Sequence, residues 1–133
     1  MSPVARGGGK KRGESERVQF RATLDHKSEE YLDALAPHLQ LKRGPLVGHL
    51  IMTLRGSKKL TGELVTFYKT IWPLVEPRRI QTARLFNWPI EVDDTLKELS
   101  FTSIGSGNKS EMVRVLIAFF ASHYKVAEIP ERH

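Results

Sequence analysis

Arg17-Val18-Gln19-Phe20-Arg21-Ala22-Thr23-Leu24 alternates polar and apolar side chains over eight positions. That is the period of a β-strand, whose successive side chains point to opposite faces. Val18, Phe20, Ala22 and Leu24 share one face, and Arg17, Gln19, Arg21 and Thr23 share the other. A lone strand leaves its backbone groups unpaired. The chain must therefore supply a second strand, or a partner chain must.

Outward from this strand the spacing turns helical. Ser28 reads as a cap, Glu29 and Glu30 suit the positive first turn, and Tyr31, Leu32, Leu35 and Leu39 recur on one face. Pro37 is expected to end or kink this helix. Lys42-Arg43-Gly44 reads as a turn, and Pro45 stands at a favoured first helical position. A second helix is expected from Pro45 to about Arg55, carrying Leu46, Val47, Leu50, Ile51 and Leu54. Residues 57–79 form a connector. Leu60, Leu64, Val65, Tyr68, Ile71 and Trp72 predict a helix within it, and Pro73 and Pro77 then break the chain.

The same order returns. Gln81 to Trp88 reads as a strand with less regular alternation. Pro89 opens a helix with Glu91, Asp93 and Asp94 early and Val92, Leu96 and Leu99 on one face. Ile104-Gly105-Ser106-Gly107 is a turn, and Asn108 with Glu111 three residues later resembles a capping box. Met112, Val113, Leu116, Ile117, Phe119, Phe120 and Tyr124 then mark a strongly apolar helix. The division is a basic tail at 1–16, a strand-helix-helix unit at 17–56, the connector at 57–79, a second unit at 80–125 and a tail at 126–133. Both tails have little to bury and are expected to be disordered or frayed. Finding one order twice outweighs any single motif.

Composition narrows the function. The net charge is +6 over 133 residues, and Arg6, Lys10, Lys11 and Arg12 supply four of those charges before Glu14. A basic tail on a mildly basic body suits a polyanion. There is no cysteine, which excludes disulfides and thiolate metal sites and fits a cytoplasmic location. No run reaches the roughly 18 apolar residues of a membrane span. His26, His38, His49, His123 and His133 are scattered and share no metal-ligand spacing. Gly105 to Ser110 lacks the glycine before lysine that a phosphate loop needs, and Ser106-Gly107-Asn108-Lys109 lacks the companions of a catalytic S-x-x-K. No cofactor and no enzymatic activity are expected.

A unit of about 40 residues is too small to offset its chain entropy alone. Two units solve this when their strands pair antiparallel over interlocked helices. One face of that ribbon packs on the helices. The other is free, and a two-stranded ribbon fits the major groove. Arg17, Gln19 and Arg21 are expected to read base edges there. Lys42, Arg43, Asn108, Lys109 and Ser110, at the starts of the two second helices, are expected to hold phosphates. Lys10, Lys11 and Arg12 would add sequence-independent affinity.

Trp88-Pro89-Ile90-Glu91-Val92 followed by Asn108-Lys109-Ser110-Glu111-Met112 resembles the Arc-type ribbon-helix-helix repressors. The tandem arrangement, with Gln81-Thr82-Ala83-Arg84-Leu85-Phe86 opening the second unit, is similar to the overdrive-binding virulence proteins of T-DNA transfer. The resemblance implies a mainly α fold with a two-stranded antiparallel ribbon, built as an intramolecular pseudo-dimer of two ribbon-helix-helix units. It implies double-stranded DNA binding and a plasmid-borne accessory role in conjugal transfer, near a relaxase and a partition-type ATPase. A plasmid repressor or antitoxin of the same fold shares the mechanism. A protein-interaction adaptor that has lost DNA binding is the alternative from another class.

The second strand poses one problem. If Trp88 points inward, strict alternation also turns Arg84 inward, where an unpartnered charge is costly. A bulge near Phe86–Asn87 would return Thr82 and Arg84 to the outer face. Thr82 and Arg84 are accordingly expected to face DNA.

Overall fold

The computed structural model describes residues 16–75 and 82–128. Strand β1 (Arg17–Leu24) leads to α1 (His26–Leu39) and α2 (Arg43–Arg55). Helix α3 (Lys58–Thr70) and the short α4 (Trp72–Val75) follow. Then come β2 (Thr82–Pro89), α5 (Ile90–Thr102) and α6 (Lys109–His123). The described chain is mainly helical, with one two-stranded antiparallel sheet.

β1 and β2 pair without interruption, from Arg17 opposite Pro89 to Leu24 opposite Thr82. The bulge expected near Phe86–Asn87 is absent. Ala22, Leu24, Phe86 and Trp88 are buried on the helix side, with Val18 and Phe20 half-buried beside them. Phe86 stacks on Trp88 at 4.9 Å between ring centres, and Phe20 lies 6.1 Å from Trp88. Stacking between residues two apart fixes them on one face of the strand. Arg84, two residues before Phe86, shares that face.

The helices cross between the two halves of the chain. α1 packs on α6, α2 packs on both α5 and α6, and α6 also packs under β1. Met112 to Ala121 of α6 are all buried, ten residues in succession. A helix buried on every side over such a stretch belongs in the centre. Each large side chain fully buried there stabilises the fold by about 1.5–3 kcal/mol. The connector joins the core as well: α3 packs on α2 and α6, and Leu64, Phe67 and Trp72 are buried.

The helix starts differ in detail from the sequence reading. Asp25, not Ser28, caps α1, and its carboxylate accepts from the Ser28 N–H and hydroxyl at 3.3 and 2.6 Å. Pro37 lies in the last turn of α1, and Gln40 ends the helix in the left-handed conformation. α2 starts at Arg43, so Arg43 and Gly44 are helical and Lys42 is the cap residue, with no side-chain cap bond. Asn108 caps α6 by accepting from the Glu111 N–H at 2.9 Å. The reciprocal half of a capping box is not formed: the Asn108 N–H donates to the Ser106 hydroxyl, and Tyr68 donates to the Glu111 carboxylate.

Candidate nucleic-acid interface

The continuous register fixes which side chains leave the ribbon on its free side. Arg17, Gln19, Arg21 and Thr23 stand there from β1, and Ala83, Leu85 and Asn87 from β2, all exposed. None of the seven is acidic. Arg21 faces Leu85 at the middle, Gln19 faces Asn87, and Thr23 faces Ala83. The Arg17 guanidinium reaches across to β2, donating to Asn87 Oδ1 at 2.9 Å and to the Asn87 carbonyl at 2.8 Å. Among the described residues, the Gln19 and Arg21 side chains make no hydrogen bond or ion pair.

Arg84 does not join this face. Arg84 lies on the helix side, where its Nη2 donates to Glu29 Oε1 of α1 at 2.9 Å. The cost that argued for a bulge is met by this carboxylate. The backbone of Thr82 pairs with Leu24, and its side chain, also expected to face DNA, lies outside the described residues.

The expected phosphate ligands are mostly engaged inside the protein. Arg43 donates to the same Glu29 Oε1, and its Nε lies 3.4 Å from Asp33 Oδ1. Two guanidiniums thus share one carboxylate oxygen. Burial lowers the Arg43 pKa from its ordinary value, and the Arg84 charge adds to the shift. Arginine still remains protonated at any physiological pH. Lys109 Nζ bonds both oxygens of Asp93 at 2.8 Å and sits 4.4 Å above the centre of the Phe20 ring. Trp88 Nε1 donates to Asp93 as well, at 3.2 Å. The Ser110 hydroxyl accepts from the Thr23 N–H at 3.1 Å. Lys42 remains exposed and, among the described residues, without an ion pair or side-chain hydrogen bond. Lys10, Lys11 and Arg12 lie outside the described residues.

These contacts follow a pattern. Glu29 and Asp93 each stand eight residues beyond the central pair Arg21 and Leu85. Each acid holds the first residue of the helix that follows its own, Arg43 or Lys109. Phe20 and Arg84 each precede the central pair by one residue, and each touches such a cation–acid cluster. Thr23 and Asn87 each follow it by two. Each has its carbonyl capped by a guanidinium at 2.8 Å, from Arg114 and Arg17 respectively. None of these pairings was visible in composition or local spacing, because acid and base lie far apart in the chain.

Compared with known protein families, curated proteins and solved structures, the chain matches none. Among the described residues no helix is long and apolar enough to cross a membrane, and no group of three or more histidine, aspartate or glutamate side chains is placed to hold a metal ion.

The two edges of the ribbon differ. Ser110 and Arg114 of α6 bond the edge of β1 at Thr23. Gly44 and Gly48 of α2 offer no side chain to β2. A groove of about 640 Å3 remains there, lined by Pro45, Gly48, Met52, Trp88 and Val92 among others.

Proposed function

We propose that the chain is a sequence-preferring double-stranded DNA-binding protein whose ribbon enters the major groove with its free face. The observation that carries this reading is that face itself. It is a two-stranded surface left uncovered by helices and free of acids, with Gln19 and Arg21 exposed and unengaged. Arginine bonds guanine O6 and N7, and glutamine bonds adenine N6 and N7. Arg17 serves differently, bracing the two strands through Asn87. Lys42, at the start of α2, holds a flanking phosphate.

The fold behind this surface is read as two ribbon-helix-helix units in one chain. The repeated strand-helix-helix order supports it, as do the crossed helix packing and the matched contacts of Glu29 with Asp93. Within that reading, an accessory role in plasmid transfer beside a relaxase and a partition-type ATPase is preferred to a repressor or antitoxin role, on the sequence resemblance alone. The groove beside Gly48 favours one competing reading, an adaptor that docks a protein segment and ignores DNA.

Gel shifts with duplex DNA separate the two. Wild type should bind duplexes with a sequence preference. Arg21→Ala should lose about 1–3 kcal/mol on the preferred duplex and much less on random duplex, because the lost contact reads a base. Wild-type protein that shifts no duplex at low salt would leave the adaptor reading standing.

A further inference from the structure

The outer face is polar along β1 and largely apolar along β2. From β1 it presents Gln19, Arg21 and Thr23, and from β2 it presents Ala83, Leu85 and Asn87. Leu85 is 51% exposed, although Phe86 and Trp88 beside it are buried. It is not overflow from the core, since the parity of β2 aims it away from the helices. It stands opposite Arg21 at the centre of the ribbon. Asn87 has its Oδ1 already engaged by Arg17. Two identical strands would present the central arginine twice. Here it appears once, beside a leucine.

We propose that the two strands read chemically different half-sites, and that Leu85 selects thymine by packing on its C5-methyl group. This rests on the DNA-binding reading above and extends it to the kind of sequence bound. The thymine methyl is the apolar feature that base pairs show in the major groove, and it discriminates T·A from the other pairs there. The charge-free, apolar centre of β2 complements it. Arg21 and Gln19 require acceptor-bearing purine edges instead. The preferred duplex therefore lacks two-fold symmetry. It has guanine or adenine contacts on one side of the centre and thymine on the other, and the protein binds it in one orientation.

The test starts from a pool of random-sequence duplexes enriched on the full chain. The winning duplex is resynthesised with uracil in place of each thymine in turn, which removes the methyl and nothing else. The enriched motif should lack two-fold symmetry. Uracil at one or two positions on one side should weaken wild-type binding about fivefold, the scale of one buried methyl group. Leu85→Ala should bind the thymine duplex about fivefold more weakly than wild type and should not distinguish uracil from thymine. Its thermal melting should match wild type, since the side chain packs on the surface. A palindromic motif, wild-type indifference to uracil, or a Leu85→Ala protein that keeps the thymine preference would each overturn the proposal. Failure to enrich any duplex would overturn the DNA-binding reading itself, and this inference with it.

Discussion

Arg84 shows how a residue is placed by partners that lie far along the chain. Local alternation turns it inward, and the desolvation of a charge argues against leaving it there. Glu29 decides the matter, 55 residues away, by accepting its guanidinium at 2.9 Å. Because Arg43 binds the same oxygen, the three residues act together. Glu29→Gln should leave two guanidiniums facing each other and cost about 2 kcal/mol. That is less than a fully buried pair would lose, because all three side chains keep some exposure. Arg84→Ala should cost under about 1 kcal/mol, since Arg43 still holds the acid. Urea unfolding of both variants checks the order, and base preference on duplex DNA should not change with Arg84→Ala. A changed preference would return Arg84 to the reading face. Tyr31 carries a second residue-scale expectation. It is 6% exposed, and burial raises its phenol pKa, with the charges of Asp25 and Glu30 adding to the rise. The unfolded chain therefore ionises this group first as pH climbs through its ordinary value of 10.0. The contribution of neutral Tyr31 to stability is complete below that pH and is lost as pH rises toward the folded-state value. Tyr31→Phe should flatten the alkaline fall in melting temperature. An unchanged slope would show that Tyr31 is not its source.

The helix starts differ in how they are capped. α1 has a carboxylate cap from Asp25, and α6 has an amide cap from Asn108. α2 has Lys42, whose side chain caps nothing. Its backbone already holds the extended conformation that a capping serine needs, with φ −75° and ψ 158°. Lys42→Ser should stabilise the protein by about 1 kcal/mol. It should also weaken binding to specific and random duplexes by a similar factor and lower the salt slope by about one, as loss of a phosphate contact does. Higher stability with unchanged affinity at all salt concentrations would remove Lys42 from the interface. Much of this layer was legible in the sequence. The alternation from Arg17 to Leu24 gave the strand and the face of each side chain. The apolar run after Asn108 gave the helix that lies deepest. Other features were not legible. Asp25 and Ser28, three residues apart, are equally good capping types, and the local sequence does not choose between them. Lys109 and Arg43 looked like free cations at helix starts, because only the packed structure brings Asp93 and Glu29 against them. Arg114 stands out as the one charge in an otherwise apolar run, but nothing local names the Thr23 carbonyl that its Nη1 holds.

At the scale of the whole molecule, each half of the chain is completed by the other. β1 finds its backbone partner in β2, and α1 packs on α6 as well as on α2. Leu32, Leu35, Leu46, Leu50, Ile51 and Leu54 are all at most 1% exposed, and the helices they face include α5 and α6. A fragment of residues 1–58 keeps β1, α1 and α2 but loses β2, α5 and α6. Its strand then has two open edges, and those six side chains meet water at about 1.5–3 kcal/mol each. Folded small domains have only about 5–15 kcal/mol of net stability to lose. The fragment can recover the missing surface only by pairing with a second copy, strand to strand and helix to helix. It should therefore be unfolded at low concentration, and any folded form should be a dimer whose melting temperature rises with concentration. Circular dichroism and sedimentation across a concentration series make the measurement. The full chain should melt at one temperature regardless of concentration, because both halves are already joined. A 1–58 fragment that melts cooperatively as a monomer would show that the first half closes its own core, and the reading of the chain as two interdependent units would fail.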